Sequence, residues 1–172
     1  MPGREEIIAT LGRGGPFASL GPTELRTLAH LLRVIHIEDG DVLFAEGDEA
    51  EAAFVVLEGA IDIVERGGRV RDTVEPGELF GELALFSSLG RRTAGAVARG
   101  RACLGAIAYE PFLAVVRAHP VVVVALLKLS TERFLALDRD YRRLRAGASK
   151  LSERHEPAER PLDEPAAARG TK

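Results

Sequence analysis

Between residues 33 and 108 the chain is a series of short apolar segments, separated by Gly, Asp and Pro at intervals of about eight to twelve residues. Such spacing is typical of a β-sandwich or β-barrel. Ile61 and Ile63 alternate with Asp62, which is the period of two expected for a strand that is buried on one face only. The pattern therefore predicts an all-β body for this part of the chain.

Two glycine-containing pairs, Asp39-Gly40 and Gly67-Gly68, are predicted to close two-residue hairpins. The turns of such hairpins need a positive backbone φ, which Gly tolerates and Asp visits more readily than most residues. The strands expected in this region are residues 33–38, 41–46, 60–66, 69–75, 92–99 and 102–108.

Apolar residues at helical spacing flank the β region on both sides. After it, Pro120 is well placed to open a second C-terminal helix. The final residues are rich in Pro, Ala and charge, which predicts disorder. The expected organisation is an N-terminal helical segment (1–32), a β-barrel (33–109), C-terminal helices (110–146) and a disordered tail (147–172).

The composition argues against several classes of protein. A net charge of −3 is unlike that of nucleic-acid-binding domains, which are usually strongly basic. The single cysteine, Cys103, cannot form an intramolecular disulfide or supply the thiolates of an iron–sulfur cluster or structural zinc. No apolar run approaches the ~20 residues of a membrane span, and the N-terminus does not resemble a secretory signal. We therefore expect a cytoplasmic protein with no metal, membrane or nucleic-acid partner.

The segment from Gly81 to Ala94 carries the residues that suggest a ligand. A short helical stretch follows Gly81, and a helix N-terminus offers unpaired N–H groups to an anion. Arg92 follows at the start of the next strand, and a guanidinium can bond two phosphate oxygens at once. Glu82 only accepts hydrogen bonds and suits a sugar hydroxyl. These groups predict a sugar-phosphate site. The alternative is a solvated pair of Arg92 and Glu82 that contributes little.

In its order of residues, this segment resembles the phosphate-binding cassette of the cyclic-nucleotide-binding superfamily, here residues 80–94. The matching positions are Gly81-Glu82-Leu83-Ala84-Leu85 and Arg92-Thr93-Ala94. Upstream, the glycine-marked segments 39–48 and 54–59 are similar too. The resemblance runs from Phe17 to Leu144 and is to effector domains of the catabolite-activator/FNR type. It implies a mainly β fold with α: a double-stranded β-helix (jelly-roll) barrel with an N-terminal helical segment and a long C-terminal helix.

The resemblance also implies a role for individual residues. Glu82 would accept a hydrogen bond from the ribose 2′-hydroxyl, and Arg92 would pair with the cyclic phosphate. Backbone N–H groups of Ala84 and Thr93 would meet the same phosphate. The expected ligand contacts are Gly81, Glu82, Leu83, Ala84, Arg92, Thr93 and Ala94.

Along the second C-terminal helix an apolar seam recurs at alternating steps of four and three residues, as in a coiled coil. We favour a parallel homodimer along this seam over packing of the same stripe on the barrel. The seam consists of Val123, Leu127, Ser130, Phe134, Leu137, Tyr141 and Leu144.

The resemblance further implies that the long helix caps the base of the nucleotide. The matching residues are Leu137 and Asp138. An aspartate could accept from N1–H and the amino group of guanine, which favours cGMP, as does Thr93 by resemblance to channels and kinases. The alternative is that Asp138 pairs with nearby arginines at the surface.

The sequence thus predicts a binding module with no catalytic residues and no cofactor beyond its ligand, cAMP or cGMP. It would signal to an unidentified effector protein through movement of the C-terminal helix. One alternative is a truncated DNA-binding regulator of the catabolite-activator/FNR type, which needs a helix-turn-helix. Another is a structural dimer that has lost nucleotide binding. It is favoured if Gly95 and Ala96, which replace larger family residues, open the pocket too far.

Overall fold

The computed structural model describes residues 2–87 and 90–153. Five helices and six strands follow one another in this part of the chain, and a 3-10 turn at Gly15–Phe17 joins the first two helices. The helices are α1 (Arg4–Arg13), α2 (Pro22–Leu31), α3 (Leu83–Phe86), α4 (Tyr109–Ala118) and α5 (Pro120–Glu153). The strands are β1 (Arg33–Ile37), β2 (Val42–Phe44), β3 (Ala52–Val64), β4 (Val70–Val74), β5 (Leu79–Phe80) and β6 (Gly95–Ala108).

The strands form one antiparallel sheet around the two longest, β3 and β6, which pair along most of their length. β1 and then β2 pair with the other edge of β6. In the same way, β4 and then β5 pair with the other edge of β3. Register shifts along the β3–β6 pair bend the long ribbon, because a bulge increases local twist. The predicted jelly-roll barrel, with helices before and after it, is confirmed.

The two-residue turn predicted at Asp39-Gly40 is present, since the amide of Asp41 donates to the carbonyl of Glu38 at 3.1 Å and Gly40 has a φ of +79°, but this turn does not close a hairpin. The strands on either side of it, β1 and β2, both pair with β6 and not with each other. The turn itself continues this ladder, since the amide of Gly40 donates to the carbonyl of Ala98 at 3.0 Å and the amide of Ala98 donates to Asp41 at 2.9 Å. A turn signal shows where the chain bends but not which distant strand receives its hydrogen bonds.

Two other strand predictions have different outcomes. The hairpin at Gly67-Gly68 is confirmed, since β3 and β4 pair on either side of it, but its loop has three residues, 66–68, because the amide of Glu65 donates to the carbonyl of Arg69 at 2.9 Å. The separate strands at 92–99 and 102–108 are instead one strand, β6, which begins at Gly95. The β3–β6 ladder is present on both sides of Gly100, so the glycine there does not end the strand.

Alternate residues of β3 and β6 supply two hydrophobic clusters. Val55 belongs to one and Val56 to the other, as expected when successive side chains point to opposite faces. The helix-side cluster, which includes residues of α1, α2, α4 and α5, consists of Ile7, Leu11, Phe17, Leu20, Leu25, Leu28, Ala29, Ala53, Val55, Leu57, Leu79, Leu85, Cys103, Ile107, Phe112, Val115, Val122 and Leu126.

The second cluster, called the interior cluster below, is drawn from the strands and from Ala94 just before β6. It consists of Phe54, Val56, Ile61, Ile63, Val74, Phe80, Ala94, Ala96, Ala98, Ala102, Leu104 and Ala106, with Phe44 and others partly buried against it. Five of its twelve buried members are alanines, which leaves room for the phenylalanine rings that face them.

The chain divides into two compact units, with the boundary after Thr131. α5 runs to Glu153, so the predicted start of the tail at residue 147 is too early. A single glycine inside a helix costs only about 1 kcal/mol relative to alanine, and helix formers such as Ala146, Ala148 and Leu151 surround Gly147. The rest of the predicted tail, 154–172, lies outside the described residues.

No single helix in the described part of the chain has the length and apolar character needed to cross a membrane. Only α4 together with residues 120–139 of α5 passes that test of length and composition, and these two helices are bent by 110° at the break between them.

Candidate ligand-binding site

Two neighbouring arginines, Arg91 and Arg92, point in opposite directions just before β6. Arg91 is exposed, donates from Nη1 to the carbonyl of Gly47 at 2.9 Å and lies 3.8 Å from Glu49. Arg92 is only 6 % exposed. Its backbone is fixed on both sides, since its amide donates to Asp48 at 2.8 Å and its carbonyl accepts from Gly47 at 2.9 Å. This extended pairing directs the Arg92 side chain towards the interior.

The Arg92 guanidinium lies among groups from three separate segments. Nη1 donates to the carbonyl of Gly81 at 3.0 Å, and Nη2 donates to the carbonyl of Ala52 at 2.9 Å. Its central carbon lies 4.1 Å from the centroid of the Phe44 ring. Nε is buried and has no hydrogen-bond partner among the residues described. The side chain is therefore held in place, yet part of its donor capacity is unused.

Burial lowers the pKa of Arg92 from its ordinary value, and the nearby carboxylate of Asp48 partly raises it again. The guanidinium remains a cation, because arginine does not lose its proton in proteins. Both of its hydrogen bonds go to neutral carbonyl oxygens. A buried charge is costly unless an opposite charge compensates it, so an anion would be bound favourably here.

Glu82 immediately follows Gly81 and is also buried, with 2 % of its surface exposed. It lies at the N-cap of α3. Neither Glu82 nor Arg92 is solvated, so the alternative of a solvated surface pair is wrong. The segment places an acceptor-only carboxylate and a buried cation on either side of one short helix.

The other residues of the predicted cassette divide by exposure. Ala84 and Ala94 are buried, at 2 % and 6 % exposure, whereas Leu83 and Thr93 are exposed. Gly81 has a backbone φ of +74°, and a Cβ atom there would lie 2.6 Å from Nη1 of Arg92. The absence of a side chain at this position therefore lets Arg92 reach the Gly81 carbonyl.

Three phenylalanines that were not among the predicted ligand contacts lie together, and one of them, Phe80, is the first residue of the predicted cassette. The rings of Phe44, Phe54 and Phe80 lie with centroids 5.5 to 6.2 Å apart and planes 25 to 32° apart. Arg92 lies over Phe44 and, at 5.3 Å, Phe54. Phe44 and Phe54 are far from Arg92 in the sequence, and the sheet pairing brings them to it.

The small residues at the start of β6 do not leave an open space. A Cβ atom on Gly95 would lie 2.8 Å from Cγ2 of Val64, so the Val64 side chain fills that position. Ala96 is fully buried and is paired with Ile63 of β3 and Phe44 of β2. The expectation that Gly95 widens the pocket is therefore wrong, because the Val64 side chain takes the space beside it.

On α5, Asp138 accepts from Nε of Arg142 at 2.8 Å, as the alternative for this residue proposed. Leu127, Phe134 and Tyr141 of the predicted seam are each more than 60 % exposed. The side chain of Leu144 lies outside the described residues. Among the residues that are described, no three His, Cys, Asp or Glu side chains are grouped to hold a metal ion.

Residues 34–119 match the family model described as "Cyclic nucleotide-binding domain". The cyclic AMP receptor protein of Thermus thermophilus is 33 % identical over 132 residues, which are 73 % of this chain and 60 % of that protein. A CRP-like cAMP-activated global transcriptional regulator of Mycobacterium tuberculosis is 29 % identical over 96 residues, or 54 % of this chain and 41 % of that protein.

Among solved structures, the catabolite activator protein of Thermus thermophilus is similar with a TM-score of 0.65 and 30 % identity, covering 78 % of this chain and 62 % of that one. The chain thus spans about half the length of the curated relatives named here. Residues 34–119, which the family model matches, include β1 from its second residue, all of β2 to β6, α4 and both buried charged residues, Glu82 and Arg92.

Proposed function

Because the chain belongs to the cyclic nucleotide-binding domain family, we propose that it is a regulatory module whose segment 81–94 binds cAMP or cGMP through Arg92. The observation that carries the proposal is the buried guanidinium, 6 % exposed, whose two hydrogen bonds go to neutral carbonyls. A cyclic phosphate brings the single negative charge that would compensate this cation.

The donors of Arg92 allow it to bind a phosphate without losing its present contacts. A guanidinium has five N–H donors. Two of them reach Gly81 and Ala52, so three remain, among them the buried Nε–H. The amide of Leu85 donates to the carbonyl of Glu82 at 3.0 Å. The amide of Ala84 precedes it in the first turn of α3, where amides have no carbonyl within the helix to bond, and it would meet the same phosphate. The carboxylate of Glu82 would accept from the ribose 2′-hydroxyl.

The choice between cAMP and cGMP favours cAMP. Two relatives carry cyclic AMP in their names. The case for cGMP rested largely on Asp138, and that carboxylate already accepts from Arg142. Leu137 and Asp138 stay untested as base contacts. No cofactor other than the nucleotide is part of the proposal.

The output of the module would be a movement of α5 that a partner protein detects. A ligand shifts such an equilibrium only by its difference in affinity for the two states. The position of α5 must therefore raise the affinity for the nucleotide in one state more than in the other. The homodimer along α5, the effector protein, the cytoplasmic location and the absence of catalysis stay predictions from the sequence.

A second candidate is a DNA-binding transcriptional regulator of the catabolite-activator/FNR type. It is favoured by the names of the relatives, one a global transcriptional regulator and one a receptor for cyclic AMP. The ligand site would be the same in both cases. An electrophoretic mobility assay with random DNA, with and without cAMP, distinguishes them, since only the regulator retards DNA.

Titration calorimetry of the purified chain with cAMP, cGMP and linear AMP tests the proposed ligand. We expect a cyclic nucleotide to bind, and Arg92→Ala to weaken binding by about 100-fold or more, as expected for the loss of two charge-assisted hydrogen bonds. Arg92→Lys keeps the charge but not the paired donors, and should recover only part of the affinity.

The matched control is Arg91→Ala, which removes the adjacent, exposed arginine. Its contacts are with Gly47 and Glu49 at the surface, so affinity should stay within about twofold of wild type, as for weak surface pairs. Circular dichroism melting curves establish that each variant is folded. Equal affinity in wild type and a folded Arg92→Ala variant would contradict the proposal.

A further inference from the structure

The face of one aromatic ring lies directly against the buried cation of the proposed site. The central carbon of the Arg92 guanidinium is 4.1 Å from the centroid of Phe44, compared with 5.3 Å from that of Phe54. A cation within about 6 Å of a ring centroid is attracted by the negative face of the ring, most strongly where water is excluded. Arg92 meets that condition, since 6 % of its surface is exposed.

The ring and the two carbonyls restrain the guanidinium in different ways. The hydrogen bonds to Gly81 and Ala52 fix two of its nitrogens. A hydrogen bond leaves the group free to tilt about the line that joins its ends, whereas a ring face supports the planar group over an area. Phe44 supplies that face from β2, whereas the carbonyl of Ala52 belongs to β3 and that of Gly81 follows β5.

The local backbone of β2 presents Phe44 to Arg92. The pairing of β2 with β6 shifts register between Val42 and Phe44, and such irregularities re-aim side chains. Val42 is 64 % exposed, whereas Phe44 is partly buried against the interior cluster. Opposite Phe44 in the ladder stands Ala96, whose small side chain leaves the ring space.

We propose that Phe44 is a positioning residue for the anion site: its ring holds the Arg92 guanidinium in one orientation before the ligand arrives. The proposal rests on the proposed function, because it assumes that Arg92 binds the cyclic phosphate. A group that is already ordered loses less conformational freedom on binding. Removal of the ring should therefore weaken affinity although Phe44 need not touch the nucleotide.

Calorimetry with cAMP on Phe44→Leu, Phe44→Tyr and Phe80→Leu tests the proposal. Phe44→Leu retains an apolar side chain without the ring face, and we expect affinity to fall about tenfold, from the size of a partly desolvated cation–π contact. Phe44→Tyr restores the face and should bind within about twofold of wild type. Phe80→Leu is the control, since it removes a ring from the same cluster and should weaken cAMP affinity much less.

A second measurement needs no ligand. In protein labelled with ¹⁵N-arginine, the Nε–H resonance of Arg92, assigned by its loss in Arg92→Lys, is shifted by the current of the Phe44 ring. We expect that shift to disappear in Phe44→Leu and to persist in Phe44→Tyr and Phe80→Leu. A structural effect of the substitutions alone would not produce this selectivity.

These two readouts separate failure of the positioning role from failure of the proposed function. If the wild-type protein binds neither cAMP nor cGMP, the proposed function is wrong, and the Arg92 resonance still decides whether Phe44 orients the guanidinium. If wild type binds, three results would overturn the positioning role. They are an unchanged cAMP affinity in Phe44→Leu, an equal loss of affinity in Phe80→Leu, or an Arg92 Nε–H resonance that is the same in Phe44→Leu as in wild type.

Discussion

The helix-side cluster and the interior cluster lie on opposite faces of the same β3–β6 ribbon, but they are built from different side chains. The helix-side cluster is dominated by Leu, Ile and Val, and its ring contact is an edge-on pair of Phe17 and Phe112. The interior cluster combines phenylalanines with alanines and is in contact with a buried arginine.

The two faces of the sheet therefore contribute differently: one stabilises the fold, and the other holds the charged group of the proposed ligand site. Burial of aliphatic side chains stabilises the fold without demanding a polar partner. A buried guanidinium costs stability unless it is compensated, so the interior face retains a group that an anion would stabilise. Substitutions on the helix side should therefore change the free energy of unfolding alone, whereas those on the interior side should also change ligand affinity.

Val55 and Val56 allow the sharpest test of this comparison. They are adjacent in β3, both are fully buried, and they belong to different clusters. Replacement of either by Ala should reduce the free energy of unfolding by about 2 kcal/mol, from the lost methyl groups and the cavity left behind. Only Val56→Ala, which loosens the cluster beneath Arg92, should also weaken cAMP binding, by about twofold.

Urea unfolding followed by circular dichroism measures the first effect, and calorimetry with cAMP measures the second. The comparison is contradicted if Val55→Ala weakens the nucleotide affinity as much as Val56→Ala, since the two faces would then be coupled through the ribbon.

Gly81 and Gly40 form a second matched pair. Both have a positive φ, +74° and +79°, so Ala at either position should cost about 1 kcal/mol of stability through backbone strain. A Cβ on Gly81 would lie 2.6 Å from Nη1 of Arg92, whereas a Cβ on Gly40 would have no atom within 4 Å. Calorimetry should show weaker cAMP binding for Gly81→Ala only. Equal affinities would mean that the Arg92–Gly81 contact has no role in binding.

The sequence was sufficient to predict the jelly-roll fold because its turn residues and strand periodicity are local signals. It also placed Arg92 and Glu82 in one segment, where a short helix separates them. The hairpin at Asp39-Gly40 failed for the converse reason, since the partner strand β6 lies far along the chain and no local signal identifies it.

The same limit explains why Phe44 was missed as a neighbour of Arg92. Phe44 reads as an ordinary strand residue, and its contact depends on a register shift in the β2–β6 ladder. Likewise, the role of Val64 in filling the space beside Gly95 could not be inferred from either residue alone. Local sequence signals therefore predict the secondary-structure elements, but they do not predict the contacts between distant strands.

The smallest predicted effect concerns Cys103, whose thiol belongs to the helix-side cluster. Burial, with a smaller contribution from Glu58, raises the pKa of this thiol. The unfolded chain therefore loses the thiol proton first, and the stability that the neutral thiol contributes is present below the unfolded pKa and lost as pH rises above it. Between pH of about 8 and 9.5 the loss should be below about 1 kcal/mol, since the unfolded thiol ionises near pH 8.5. Urea unfolding across this range measures it as the difference between wild type and Cys103→Ala, in which all other titrating groups are shared. Parallel pH profiles for the two proteins would show that the helix-side cluster tolerates the charged thiolate. The helix-side cluster and the interior face that holds Arg92 would then not differ in whether they accept a buried charge.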